Sequence, residues 1–209
     1  MYQPVLVLSF AAAVAVAATV AIASIALARK GPTRWLLFMA LFAAITAFGF
    51  AATLGGLRFN FTPSMPLGIY RLNPLPQDAI ERQMLVAVCA PSSMVKLGRG
   101  RGYLSGGPCA GATEPLLKTV AAVAGDSVAV SFRGVTVNGR LLPNSKPVAF
   151  DWAGRELSSS PAVHRRIPQG TIWVYADHPR SWDSRYWGPV TVRNVLAKAT
   201  PVLVATSRR

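Results

Sequence analysis

The chain has 209 residues, of which 52% are hydrophobic and only 14% charged, with 22 Lys and Arg against 8 Asp and Glu for a formal net charge of +14. So apolar an average excludes a simple soluble domain. The charge raises nucleic acid as a partner, but Arg99, Arg101, Arg133, Arg140, Arg155, Arg165, Arg166, Arg208 and Arg209 are scattered rather than gathered on one helix. No nucleic-acid partner is therefore expected, and membrane lipid with anionic headgroups is the partner that the charge fits.

The apolar excess sits at the N-terminal end. Residues 4–28 and 35–57 contain no charged side chain, and each run exceeds the roughly 20 residues that span a bilayer core. Two transmembrane helices are expected there. A cleavable signal peptide is the competing reading of the first run, but Met1–Gln3 lacks a basic start and the run is too long. Arg29, Lys30 and Arg34 lie between the runs, and the positive-inside rule puts them in the cytoplasm, with everything after Leu57 on the other side. The expected division is a membrane anchor over residues 1–58 and an extracytoplasmic domain over 59–209.

The extracytoplasmic domain opens on Asn60-Phe-Thr62-Pro63-Ser64-Met-Pro66. Each proline fixes its own φ and disfavours helix in the residue before it, so Ser64 sits on a stiff, extended turn. Such a turn is either an ordinary Pro-Ser loop or the rigid mount of a nucleophile. Strands are expected at 68–72 and 84–88, followed by a Gly-rich, structureless stretch over 98–111. Further strands are expected at 116–123, 127–132, 171–176 and 195–204, with a hairpin over 135–142 whose Asn138-Gly139 suits a type I′ turn. Residues from about 134 to 170 form an excursion from the main sheet, and 177–186 is a polar segment. Many short strands without a sustained helical period define an all-β domain.

Cys89 and Cys109 lie in the part expected outside the cytoplasm, where disulfides persist. Joined, they would close a loop worth roughly 3 kcal/mol in the chain-entropy picture. The alternative is two reduced, buried thiols. There is no CxxC, and His164 and His178 are far apart, so no metal and no cofactor is expected. Lys118 is the one charge in the run 116–123. It either faces solvent from a half-buried strand or is buried with a lowered pKa, as a serine nucleophile lacking a histidine base requires.

Taken in order, Thr62-Pro-Ser64-Met-Pro66, Lys118-Thr-Val-Ala-Ala-Val-Ala-Gly125-Asp126 and Ser181-Trp-Asp183-Ser-Arg185-Tyr-Trp-Gly188 resemble the boxes of the membrane-bound signal peptidase family with a serine-lysine dyad. Gly68-Ile-Tyr70, Arg101-Gly-Tyr103, paired Cys89 and Cys109, and Val137-Asn-Gly139 resemble more narrowly its TraF-type conjugative-transfer members. The resemblance implies a signal-peptidase-like β fold with a smaller inserted β subdomain. It further implies Ser64 as nucleophile, Lys118 as general base, and the Ser64 N–H with the Thr62 hydroxyl as oxyanion donors. Ser181 would orient the lysine, and Asp183 and Arg185 would support the site. The chain departs from the family pattern at Thr119, where a basic residue is usual, and at Ala124, where proline is usual.

The implied activity is that of a serine endopeptidase of the bacterial inner membrane, with its catalytic domain on the periplasmic side. Its substrate would be a precursor polypeptide, a pilin or other exported protein, and conjugation or type IV secretion components would be its partners. A housekeeping signal peptidase is the alternative within the same chemistry. A non-catalytic assembly subunit of the same apparatus is the alternative outside it.

Overall fold

The structure, a computed structural model, describes Gly31, positions 35, 36, 38–43 and 46, and residues 55–159 and 165–205. The first expected transmembrane helix, residues 4–28, lies outside the described residues. In the second run, positions 35, 36, 38–43 and 46 are helical. Among the described residues no helix is long and apolar enough to cross a membrane. The expected extension of that helix to Leu57 is corrected: residues 55 and 56 form a turn, and Leu57 opens a strand. Gly56 takes φ +72° there, a backbone angle that glycine tolerates and that breaks a helix.

Twelve strands follow among the described residues: β1 (Leu57–Asn60), β2 (Gly68–Asn73), β3 (Leu85–Val88), β4 (Gly106–Cys109), β5 (Leu116–Ala122), β6 (Ser127–Ser131), β7 (Gly134–Val137), β8 (Arg140–Leu141), β9 (Arg165–Arg166), β10 (Thr171–Tyr175), β11 (Val190–Thr191) and β12 (Val195–Val204). Seven of them form an antiparallel sheet in the order β1-β2-β12-β3-β5-β10-β11, and four form a smaller one in the order β8-β7-β6-β9. The β-sheet architecture matches the expected all-β domain. The central strands β3 and β5 read as nearly continuous apolar runs because both of their faces are covered. Val86, Val88, Val120, Ile172 and Val174 pack in one cluster, and Tyr70, Ala87, Leu117 and Ala199 in another. A third cluster, with Val128, Val130, Val135 and Trp173, ties the small sheet to β10. The smaller sheet takes β6 as well as the hairpin, so it begins at Ser127 rather than near 134. Asn138 and Gly139 sit at φ +49° and +81°, the left-handed pair that the hairpin turn requires.

One expectation fails in an instructive way. The stretch 98–111 is not structureless, because a helix, α1 (Ser92–Gly100), runs into it and β4 lies within it. Met94, Val95 and Gly98 point inward at helical spacing while their neighbours face solvent. Gly98 lets α1 approach so closely that a Cβ there would lie 2.6 Å from both Leu104 and Trp182. The polar segment 177–186 divides in two: 177–180 lie toward the surface, whereas every residue from Ser181 to Tyr186 is buried and Ser184–Trp187 forms a short helix, α2.

Cys89 and Cys109 are joined by a disulfide with a Cα–Cα distance of 5.7 Å across a sequence separation of 20. It fastens β4, beyond the glycines that follow α1, to the end of β3. Replacing both cysteines by serine is expected to lower unfolding stability by roughly 3 kcal/mol. Native protein should give no free-thiol labelling and a mass about 2 Da below the reduced chain, two hydrogens being lost on bond formation. Labelling of both cysteines in native protein would contradict this.

Candidate active site

Ser64 lies in the loop that joins β1 to β2 at the edge of the large sheet. The side chain of Asn60, the last residue of β1, is the template of that loop. Its amide oxygen accepts from the Thr62 N–H (3.3 Å) and the Thr62 hydroxyl (2.8 Å), and its amide nitrogen donates to the carbonyls of Thr62 (3.0 Å), Met65 (3.0 Å) and Pro66 (3.1 Å). The Tyr70 hydroxyl donates to the Pro66 carbonyl at 2.7 Å. Where the loop re-enters the sheet, Gly68 has φ +145°, and a Cβ there would lie 2.1 Å from the Leu203 carbonyl oxygen. The two prolines stiffen the turn, and Asn60 gives it its shape. Sequence reasoning missed Asn60; the available signal was an Asn two residues ahead of Thr62, where Asx turns form.

Lys118 is on β5, opposite Val86 of β3, and is only 2% exposed. Its Nζ donates to the Ser181 Oγ at 2.8 Å. Burial, the largest influence, lowers its pKa from the ordinary 10.5 to about 8, while Asp183 raises it and Arg185 lowers it. The solvent-facing reading of this lysine is thus excluded. The two neighbouring charges work against each other, which leaves desolvation to decide the direction.

Asp183 and Arg185 are both fully buried. The Asp183 carboxylate accepts from the Arg185 Nε (2.9 Å), Nη2 (2.7 Å) and backbone N–H (3.1 Å), and from the Ala176 N–H (3.1 Å). The guanidinium also donates to the carbonyls of Asn144 (2.9 Å), Ala176 (3.2 Å) and His178 (2.9 Å). Burial alone would lower the Arg185 pKa, but the bonds to Asp183 raise it. The pair fastens the end of β10 to the start of α2. Ser181, on the intervening chain, is thereby held against Lys118.

Thr62, Ser64, Lys118, Ser181, His178 and Arg180 line one cleft of about 320 Å³, together with Tyr103, Phe150, Asp151, Trp152 and Trp182. Ser64 and Lys118 therefore face the same space, although no hydrogen bond joins them among the described residues. The Ser64 Oγ lies 3.4 Å from the Thr62 Oγ1. Because the Thr62 hydroxyl proton is directed to Asn60, Ser64 is the donor in that contact. His178, which sequence reasoning left without a role, borders the cleft, and its backbone holds Arg185. Burial and the charges of Arg185, Lys118 and Arg180 lower its pKa. His164 lies outside the described residues. Among the described residues no group of three His, Cys, Asp or Glu could hold a metal ion.

A hydroxyl on a stiff turn and a desolvated amine thus line one cleft. The chain belongs to the signal peptidase family, peptidase S26, whose sequence model matches residues 29–204. It is 39% identical over 159 residues to the conjugal transfer protein TraF of Agrobacterium tumefaciens (strain 15955), covering 76% of this chain and 88% of that one. It is also 34% identical over 155 residues to a plasmid transfer protein TraF of Escherichia coli, covering 73% and 86%. The crystal structure of a signal peptidase I from Enterococcus faecalis overlaps 58% of this chain and 97% of its own at 19% identity, with a TM-score of 0.33. The family resemblance drawn from the three boxes holds.

Proposed function

We propose that this chain is a membrane-anchored serine endopeptidase that processes exported or membrane-tethered precursors for conjugative transfer, a pilin foremost. The observation that carries the reading is the burial of Lys118 in the same cleft as Ser64, with its amine lowered to about 8. A scaffold protein gains nothing from a lysine whose charged form is disfavoured by burial. An enzyme without a histidine base needs it.

In this reading neutral Lys118 takes the Ser64 Oγ proton as the oxygen attacks the scissile carbonyl. The Ser64 N–H stabilises the oxyanion, and the Thr62 hydroxyl joins it by turning away from Asn60. The ammonium then returns its proton to the leaving amine, which departs and leaves an acyl ester on Ser64. Lys118 next deprotonates water, or an amine of the substrate itself, which resolves the ester by hydrolysis or by cyclisation. Ser181 keeps the amine aimed, and the Asp183–Arg185 pair keeps Ser181 in place. The Ser64–Lys118 hydrogen bond forms as substrate closes the cleft, since catalytic hydrogen bonds commonly tighten only in the complex.

The expected setting is the periplasmic face of the inner membrane. Exposed Phe59, Phe61, Leu67, Val202 and Leu203 flank the Ser64 loop and its sheet edge, and the Phe59 and Phe61 rings stack 6.1 Å apart. An apolar rim of this kind next to the proposed anchor suits contact with lipid. The test is a comparison of membrane-protein termini in cells carrying the wild-type or the Ser64→Ala chain. At least one exported precursor should persist uncut in the variant; identical termini in both strains would overturn the reading.

A further inference from the structure

The cleft has a second built feature that the proposed chemistry does not use. Residues 149–157 form a tight turn, closed by a bridge between Phe150 and Glu156 and by the Leu157 N–H donating to the Ala149 carbonyl at 2.7 Å. Asp151 organises it from inside. Its Oδ1 accepts from the N–H groups of Ala153 and Arg155, both at 2.9 Å, and its Oδ2 accepts from the Arg155 Nε at 2.7 Å and from the Tyr103 hydroxyl. Arg155 and Arg101 then tie the turn to the end of α1: the Arg155 Nη2 donates to the Arg101 carbonyl (3.1 Å), and the Arg101 Nη1 donates to the Glu156 carbonyl (2.7 Å). The Arg155 guanidinium also lies 5.7 Å from the Tyr103 ring centre and 5.9 Å from that of Trp152.

All this anchoring holds two large aromatic side chains in water. Phe150 is 59% exposed and Trp152 75% exposed, yet both border the cleft that contains Ser64 and Lys118. A stiff turn that presents aromatic rings beside a nucleophile has already lost the conformational freedom that binding would otherwise cost. Rigid aromatic side chains are also the groups that anchor peptide ligands most effectively.

We propose that Phe150 and Trp152 form a subsite for one bulky apolar side chain of the polypeptide substrate, with Asp151 as the residue that positions them. This rests on the peptidase reading and names what the cleft selects. A peptide is favoured over lipid as the occupant because these rings line the cleft itself, whereas the apolar rim of Phe59 and Phe61 stands outside it.

The experiment uses the full chain in detergent micelles and a library of terminally blocked peptides varied between Ala and Leu, Met or Phe at each position. Wild-type protein should prefer the bulky residues at one position. Trp152→Ala and Phe150→Ala should lose about tenfold or more in kcat/KM on those peptides, carried by KM, and nothing on the Ala peptides. Trp152→Phe should retain most of the preference. Asp151→Asn, which keeps both aromatic residues but weakens the bonds that hold their turn, should reproduce the loss. Fluorescence anisotropy of the same peptides on Ser64→Ala protein, with and without Trp152→Ala, should show the same difference in affinity without any cleavage.

Equal effects on all peptides, or none, overturn the subsite. So does loss of vesicle binding in Trp152→Ala with an unchanged peptide profile, which would assign the rings to lipid. Absence of Ser64-dependent cleavage alongside side-chain-dependent binding would strike the peptidase reading and leave the subsite standing.

Discussion

On the proposed mechanism Lys118→Arg protein is expected to cleave no precursor, with a loss on the order of 10⁶ in kcat, as when a member of a serine-peptidase catalytic unit is removed. Arginine keeps the positive charge and much of the length, but its guanidinium stays protonated and cannot accept the Ser64 proton. Ser64→Ala should be equally inert. The double variant should be no worse than either single one, because two groups that act as one unit are lost together. Wild-type activity should rise with pH through about 8 and level off above it, as the neutral amine becomes populated. Near wild-type turnover by Lys118→Arg would reduce this lysine to a strand residue.

The same burial has a stability signature with a definite sign. The folded-state pKa of Lys118, about 8, is below its ordinary 10.5. Between those values the unfolded chain binds a proton that the folded chain does not, so this group makes stability rise with pH across that window. Below about 8 the folded protein carries the whole penalty. Lys118→Met removes it, so unfolding midpoints of the variant and wild type should converge as pH rises from 8 toward 10.5. A pH-independent difference would contradict the buried, titrating amine.

Asp183→Asn or Arg185→Met is expected to cost roughly 3–5 kcal/mol, since either leaves an opposite charge or its hydrogen-bonding groups uncompensated in the interior. Against a typical total of about 5–15 kcal/mol, such a loss is a large fraction of the stability. Thermal unfolding of the purified variants would read it directly. Activity should fall as well, because Ser181 and the His178 backbone depend on the pair. The double variant Asp183→Leu with Arg185→Met should recover part of the stability but not the activity. A shift of only a degree or two in either single variant would mean that the pair is not the clasp its geometry describes.

Much of the sheet was legible because local patterns carry it. Uninterrupted apolar runs of strand length marked β3 and β5, Asn138-Gly139 marked the hairpin, and paired prolines marked the Ser64 turn. The family was readable as well, from three ordered boxes around Ser64, Lys118 and Ser181. Helix α1 was not legible, because its glycines suppress helical propensity and only docking on Leu104 and Trp182 stabilises it. Nor was the interior position of 181–186, where polarity signals a surface until two opposite charges are brought together and neutralise each other.

Lys118 itself was ambiguous in the linear chain, which admits both a solvated and a desolvated amine. Only the packing of β3 and β10 on either side of β5, with Ser181 returned by the chain after β10, decided for the second. The Asn60 template and the Asp151 turn are local by contrast: their backbone partners stand two to six residues along the chain, and tertiary structure decided only that both turns border one cleft.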